Sequence, residues 1–331
     1  HKGCFNIRKW NSNSTKILRN LNPSLCEREP QEFPKEEDST IKTLGLWWDA
    51  SDDVFKFRHS PLERKHSHQL TKRIMLSEIS RLFDPLGLVA PVIIRAKIQL
   101  QELWKTKIGW DESLPMHLHT HWNQLLRCLN DLNALVTPRQ VTLMSGEGLY
   151  EIHGFADASE TAYGGAVYVR HTDSQGNIKC TLLCAKSRVA PLKTVSLPRL
   201  ELCAALLLAE LVAHVISALT INVMKVTCWT DSTVALHWIK AEPARWTTFV
   251  ANRVAKIQGL TAQASWKHVD TNENPADLIS RGAKAQVLAQ SHLWWEGPSW
   301  LRSQEHAWPD KSIKPIEDQD LPERRLSKIK A

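Results

Sequence analysis

Four acidic residues in the middle of the chain have types and settings suited to chemistry. They are Asp157 in Phe155-Ala-Asp-Ala-Ser159, Glu201 in Pro198-Arg-Leu-Glu-Leu202, Asp231 in Cys228-Trp-Thr-Asp-Ser232, and Asp277 in Asn274-Pro-Ala-Asp277. Asp157 and Asp231 each close an apolar, strand-like run, where a carboxylate is costly unless it is paired or bound to a metal. Four such groups converging on one sheet edge repel one another, and divalent cations resolve the repulsion. Two Mg²⁺ ions roughly 3.5–4 Å apart clamp the attacking and leaving oxygens of an in-line phosphodiester displacement. Mg²⁺ takes oxygen ligands and keeps several waters, so a few carboxylates plus substrate phosphate suffice.

The surrounding elements must bring these acids together. Leu149 to Asp157 alternates as a strand, Tyr163 to Arg170 is a second strand entered through Gly164-Gly165, and Lys179 to Ser187 is a third. Ser196 to Leu219 reads as a long amphipathic helix, with Ser196 as N-cap and Pro198 in its first turn. Lys225 to Thr230 is a fourth strand, helices follow over 232–240 and 246–258, and Ser265 to Val269 is a short fifth strand. Asn274-Pro275 opens a last helix, with Asn274 as cap and Asp277 as its third residue. The order β-β-β-α-β-α-α-β-α predicts an α/β fold, a mixed five-stranded sheet with flanking helices.

Upstream, Asn22 to Ser39 reads as a solvated loop. Thr43 to Asp49 and Val54 to Phe57 flank a polar turn and predict a β-hairpin. Residues 71–108 predict two helices broken at Asp84-Pro-Leu-Gly87, and a third runs from about His117 to Leu135, the segment closing near Thr137-Pro138. Downstream, Leu293-Trp-Trp-Glu-Gly-Pro-Ser-Trp300 is a Trp-rich turn, after which the sequence becomes charged.

The whole chain has 331 residues, 43% of them apolar, which suits about two globular domains and excludes global disorder. A formal charge of +7 suits a polyanion partner. No window reads as an uncharged membrane span, the richest run carrying Glu210 and His214. Seven cysteines with no CxxC pair argue against a disulfide framework or a zinc ribbon and for a reducing compartment. The start at His1 and the missing signal pattern suggest an interior piece of a longer polypeptide, located inside the cell in a cytoplasmic particle or the nucleus.

The four acidic motifs, in this order and context, resemble the ribonuclease H domain of retroelement polyproteins. The flanks sharpen the resemblance to the BEL/Pao class of LTR retrotransposons: Ile7-Arg-Lys-Trp-Asn-Ser-Asn13, Leu44-Gly-Leu-Trp-Trp-Asp49, Leu76-Ser-Glu-Ile-Ser-Arg-Leu-Phe-Asp-Pro-Leu-Gly87, Leu100-Gln-Glu-Leu-Trp104, Asn274 to Arg281 and Leu293 to Trp300. The resemblance implies that Asp157, Glu201 and Asp231 are the three core metal ligands and Asp277 the fourth, holding two Mg²⁺ or Mn²⁺ ions. It implies that 1–60 is the end of a reverse-transcriptase palm, 61–147 a helical thumb and connection, 148–290 the ribonuclease H-like domain, and 291–331 a Trp-rich linker toward an integrase. The partners implied are an RNA–DNA hybrid and the remainder of the Pol polyprotein, with no membrane.

Three departures limit what carries over. The only adjacent Asp pair, Asp52-Asp53, lies in a polar turn and reads as a hairpin tip, so this stretch is not expected to synthesise DNA. His268 lies within the strand-like Trp266-Lys-His-Val269 and reads as a packed strand residue rather than a mobile acid. Aspartic peptidase chemistry needs paired Asp-Thr/Ser-Gly turns, and none is present.

Ser174 to Leu200 holds no acidic residue, and Lys179, Lys186, Arg188, Lys193 and Arg199 precede Glu201. Such a cluster suits phosphate contacts, with Arg281 and Lys284 adding to it more weakly. Ser159, Ser232 and Asn274 are candidate supports, the two serines either orienting ligands or capping turns. Trp229, Trp238 and Trp246 read as core, and Trp294, Trp295, Trp300 and Trp308 as folding the tail onto the body. The histidines at 117, 119 and 121, and at 59, 66 and 68, read as polar surface rather than metal ligands. The expected activity is metal-dependent hydrolysis of the RNA strand of RNA–DNA hybrids; the alternative is a catalytically silent nucleic-acid-binding remnant.

Overall fold

A computed structural model describes residues 8–26, 40–43, 46–59, 70–143, 147–309 and 321–325. His66, His68 and Leu44-Gly45 lie outside these ranges. After helix α1 (Thr15–Arg19), strands β1 (Thr40–Thr43), β2 (Leu46–Asp49), β3 (Val54–Lys56) and β4 (Val136–Pro138) form an antiparallel sheet in that order. The expected hairpin is β2–β3. At its tip Asp53 accepts from Trp48 Nε1 and from the Arg139 guanidinium, so it ties the turn to the residue after β4. Thr137-Pro138 is therefore a strand of this sheet rather than a segment end, and β1 adds a strand where no hairpin pattern reached.

Helices α2 (Lys72–Ser80), α3 (Ala90–Lys105) and α4 (Met116–Asn130) follow the expected helix–break–helix pattern. At the break, the Asp84 carboxylate accepts from Leu88 N and Val89 N, both at 2.8 Å, which starts α3. The same turn bonds the sheet below: Ala185 N donates to Leu86 O at 2.8 Å. Gly87 has φ +72, and a Cβ there would stand 1.9 Å from Ala185 O, so only glycine permits this approach.

The large sheet contains β5 (Leu149–Ala158), β6 (Ala162–Thr172), β7 (Ile178–Val189), β8 (Val223–Thr230) and β9 (Ser265–His268). Their order is β7-β6-β5-β8-β9; the first three pair antiparallel, and β8 and β9 are parallel to β5. This is the ribonuclease H-like mixed sheet. Helices α5 (Leu197–Ala218), α6 (Thr233–Lys240) and α7 (Thr248–Leu260) share one apolar cluster with Ile152, Ala156, Val167 and Val169. Helix α5 is long and apolar enough to cross a membrane, and here its apolar stripe, from Leu200 to Val215, is buried in that cluster.

The opposite face, with Phe155, Tyr168, Leu182 and Trp229, packs in one cluster with residues of α2, α3 and α4. Short helices α8 (Asp277–Arg281), α9 (Ala285–Ala289) and α10 (His292–Glu296) join it. So do Trp294, Trp300 and Trp308, all buried: the tail folds onto the sheet. Trp300 and Trp308 stand 4.8 Å and 6.1 Å from the Trp229 ring. The expected last helix begins later than its motif suggests. Asn274 ends a 3-10 turn, Ala276 is the N-cap, and Asp277 is the first residue of α8 rather than the third.

Candidate metal centre

Asp157 lies at the end of β5, Asp231 just beyond the end of its parallel neighbour β8, and Glu201 in the first turns of α5. One carboxylate oxygen from each lies within 4.8 Å of the others. Asp157 and Glu201 are buried, at 4% and 8% exposure. The Ser280 hydroxyl donates to Asp157 Oδ2, and the Thr271 hydroxyl donates to Asp231 Oδ2 at 2.7 Å. Glu201 Oε2 and Asp231 Oδ1 are buried and have no hydrogen-bond partner among the described residues.

The electrostatics follow from this crowding. Burial, opposed by the Ser280 hydroxyl and reinforced by Asp231 and Asp277, pushes the Asp157 carboxyl up to about 7. Burial, then Asp157 and Asp231, pushes Glu201 up to about 9, against the Ala158 N–H that stabilises its charge. Three carboxylates with two orphaned buried oxygens suit a hard cation taking oxygen ligands. The donor set thus fits a divalent metal.

Asp277 is close enough to raise both neighbours, yet it stands outside this group of three: its carboxylate pairs with Arg281 one helical turn on. Asp277 and Arg281 stand at i and i+4 of α8, where such a pair closes on the helix surface. The same pair engages Arg281, the residue expected to contact phosphate, whose side chain stays exposed.

The other expected residues divide. Lys186 and Arg188 are exposed on β7 and bracket Ser187, which pairs with Gly164, itself opposite Asp157. Two strand spacings, about 10 Å, separate these positions. Lys193 is exposed in the loop before α5. Arg199 is engaged elsewhere, forking the Glu323 carboxylate at 2.7 and 2.9 Å. Ser159 bonds Ser280 O at 2.7 Å, which ties β5 to α8, and Asn274 is fully buried and donates to Ala156 O at 3.0 Å. Ser232 caps α6 through Ala235 N, the plainer of its two expected roles. His268 ends β9 with Nε2 3.1 Å from Asp231 O.

Two contributors went unrecognised in the sequence, Ser280 and Thr271. Ser280 lies within the Asn274–Arg281 motif, but nothing local marks its hydroxyl as a partner of Asp157, 123 residues away. Gly164 also matters here: a Cβ would stand 2.4 Å from Ile279 Cγ2, so its absence lets α8 seat against the sheet.

Residues 71–232 match the family model described as the Pao retrotransposon-like RNaseH-like domain. The span runs from the start of α2 to just past Asp231 and excludes α8. Among curated proteins, none matches the chain. Among solved structures, the N-terminal RNase H domain of Rv2228c from Mycobacterium tuberculosis, a maltose binding protein fusion, is 14% identical over 42% of this chain and 98% of its own, with a TM-score of 0.29. LC11-RNase H1, in complex with RNA/DNA hybrid, is 17% identical over 42% of this chain and 99% of its own, at 0.29. The foamy viral protease-reverse transcriptase dRH, in complex with double-stranded DNA, is 15% identical over 70% of this chain, which spans 38% of that one, at 0.43. Strand order and connectivity, β7-β6-β5-β8-β9, define the fold.

Proposed function

Because residues 71–232 carry a Pao retrotransposon-like RNaseH-like domain, we propose that the chain is a metal-dependent endonuclease that hydrolyses the RNA strand of RNA–DNA hybrids. The observation that carries this reading is the meeting of Asp157, Glu201 and Asp231 within 4.8 Å, two of them with an unbonded buried oxygen. Asp157, Glu201 and Asp231 would hold the cations, Mg²⁺ or Mn²⁺. When bound, a pair of such ions supplies an activated water and stabilises the leaving oxygen.

The chain's own residues do the positioning. Ser280 holds Asp157, and Thr271 holds Asp231, so each carboxylate keeps one oxygen turned to a fixed partner. Asn274 and Ser159 fasten the α8 segment to β5 and keep that geometry. Lys186, Arg188 and Lys193 would take phosphates through contacts that carry no base information, as hybrid recognition by backbone and 2′-OH requires. Residues 1–147, read as palm end and thumb/connection of a Pol polyprotein, would help grip the duplex.

The test is cleavage of end-labelled hybrid with Mg²⁺. Products that vanish with EDTA and with Asp157→Asn are expected. Cleavage that survives either treatment rejects the reading.

A further inference from the structure

Residues Leu321–Arg325 lie against the start of α7 and the first turn of α5. Leu321 is buried in the apolar cluster of Trp238 and Trp246. Trp238 Nε1 donates to Pro322 O at 3.1 Å, Thr247 N to Glu323 O at 2.8 Å, and Arg325 N to Arg245 O at 2.9 Å. The Glu323 carboxylate is forked by Arg199 and also accepts from the Thr247 hydroxyl.

This is the donor set that a phosphodiester would use. A guanidinium fork grips carboxylate and phosphate with the same geometry, and the hydroxyl and the helix start add to it. The surroundings are basic and aromatic. The Arg199 and Arg253 guanidiniums lie 4.7 and 3.6 Å from the Phe249 ring centroid, and Arg188 and Arg253 both act on the Cys203 thiol. Arg199 is two residues from Glu201 on α5, about 3 Å of axial rise. Glu323 therefore neutralises the arginine nearest in sequence to the carboxylate cluster.

We propose that Leu321–Arg325 is an autoinhibitory strap whose Glu323 carboxylate occupies a phosphate position on the Arg199–Thr247–Phe249–Arg253 ledge, and that nucleic acid must displace it to bind fully. The inference rests on the nucleic-acid reading of this face. The strap is built to leave. Apart from the Glu323 carboxylate, which nucleic acid would replace, it is held by the buried Leu321 and a few backbone bonds, and Glu323 sits at φ 69, a left-handed conformation that a non-glycine residue keeps only where contacts hold it. The lowered Glu323 carboxyl, set by Arg199, keeps it charged at neutral pH.

The test uses the full chain in EDTA, so that binding is read without cleavage. Anisotropy with a labelled RNA–DNA hybrid at fixed ionic strength is expected to show about three- to tenfold tighter binding for Glu323→Ala than for the unaltered chain. Hydrogen exchange on the unaltered chain is expected to show that hybrid speeds exchange at the Arg325 and Thr247 amides. Unchanged or weaker binding by Glu323→Ala, no binding by either form, or protection of 321–325 that holds or rises with hybrid overturns the strap. Strap release with no Mg²⁺-dependent cleavage overturns the nuclease reading and leaves the strap standing.

Discussion

Glu151 and Asp157 project from the same face of β5, yet their surroundings are opposite. Glu151 meets the Arg170 guanidinium and has His153 Nε2 at 3.8 Å. Arg170 spends its other N–H groups on Leu301 O and Ser303 O of the folded-back tail. Burial pushes the Glu151 carboxyl up, but His153 and Arg170 outweigh it and the net shift is downward. At the other end of the strand, Asp157 has a hydroxyl and two further acids, and rises to about 7. One end brings its own cation from the chain; the other leaves a hole in the charge balance. The difference separates a structural carboxylate from one that requires something from solution.

The comparison breaks most visibly under exchange of charge for amide. Asp157→Asn is expected to lower hybrid cleavage by about 10³-fold or more, the scale for a group inside a concerted set. Its metal-free melting temperature should hold or rise, since the substitution relieves repulsion. Glu151→Gln is expected to do the reverse. It strands the buried Arg170 and should destabilise by about 3 kcal/mol in denaturant titration, with cation-dependent stabilisation retained. Equal stability losses for the two would erase the distinction.

The pH dependence sharpens it. In the fold Asp157 and Glu201 keep their protons to about 7 and about 9, whereas in the unfolded chain such groups release them near 4. Between those limits the folded state binds more protons, so metal-free stability should fall as pH rises from about 5 to 9. Glu151, shifted downward, contributes stability that is present at neutral pH and lost as the solution is acidified through its own titration. Melting curves in EDTA across this range should slope downward, and saturating Mg²⁺ should flatten them; a slope indifferent to Mg²⁺ counts against the site.

The smallest expected effect is steric. Gly164→Ala forces Ile279 or β7 to shift and should cost about 1–3 kcal/mol. It should lower cleavage more than hybrid affinity, because the tightest contact, at Ile279, lies on α8, which carries Ser280. Equal losses in both would place α8 outside the catalytic geometry.

Much of this arrangement was legible in the sequence. The strand alternation of 149–157, the Ser196–Pro198 helix start and the Asp84 break are local patterns, and each produced its element. Asp157 and Asp231 stand out because acids closing apolar runs need partners, and Glu201 by its place at the start of the long helix. What the local pattern left out lies across the fold. The Asn274 side chain does cap, accepting from Ala276 N, but its amide also donates to the buried Ala156 O, a contact that no local pattern announces. Asp277 starts α8 and pairs with Arg281 at the edge of the cluster. Arg199 read as a free phosphate contact because Glu323 is 124 residues away.

The sequence by itself determined the elements, the acids that close them and the basic stretch before Glu201, since hydrophobic period, capping and charge act over a few residues. Tertiary structure alone decided which acids meet, which hydroxyls hold them and which cations are already taken. Those outcomes depend on contacts between residues more than a hundred positions apart, such as Ser280 with Asp157 and Arg199 with Glu323, and no local pattern encodes them.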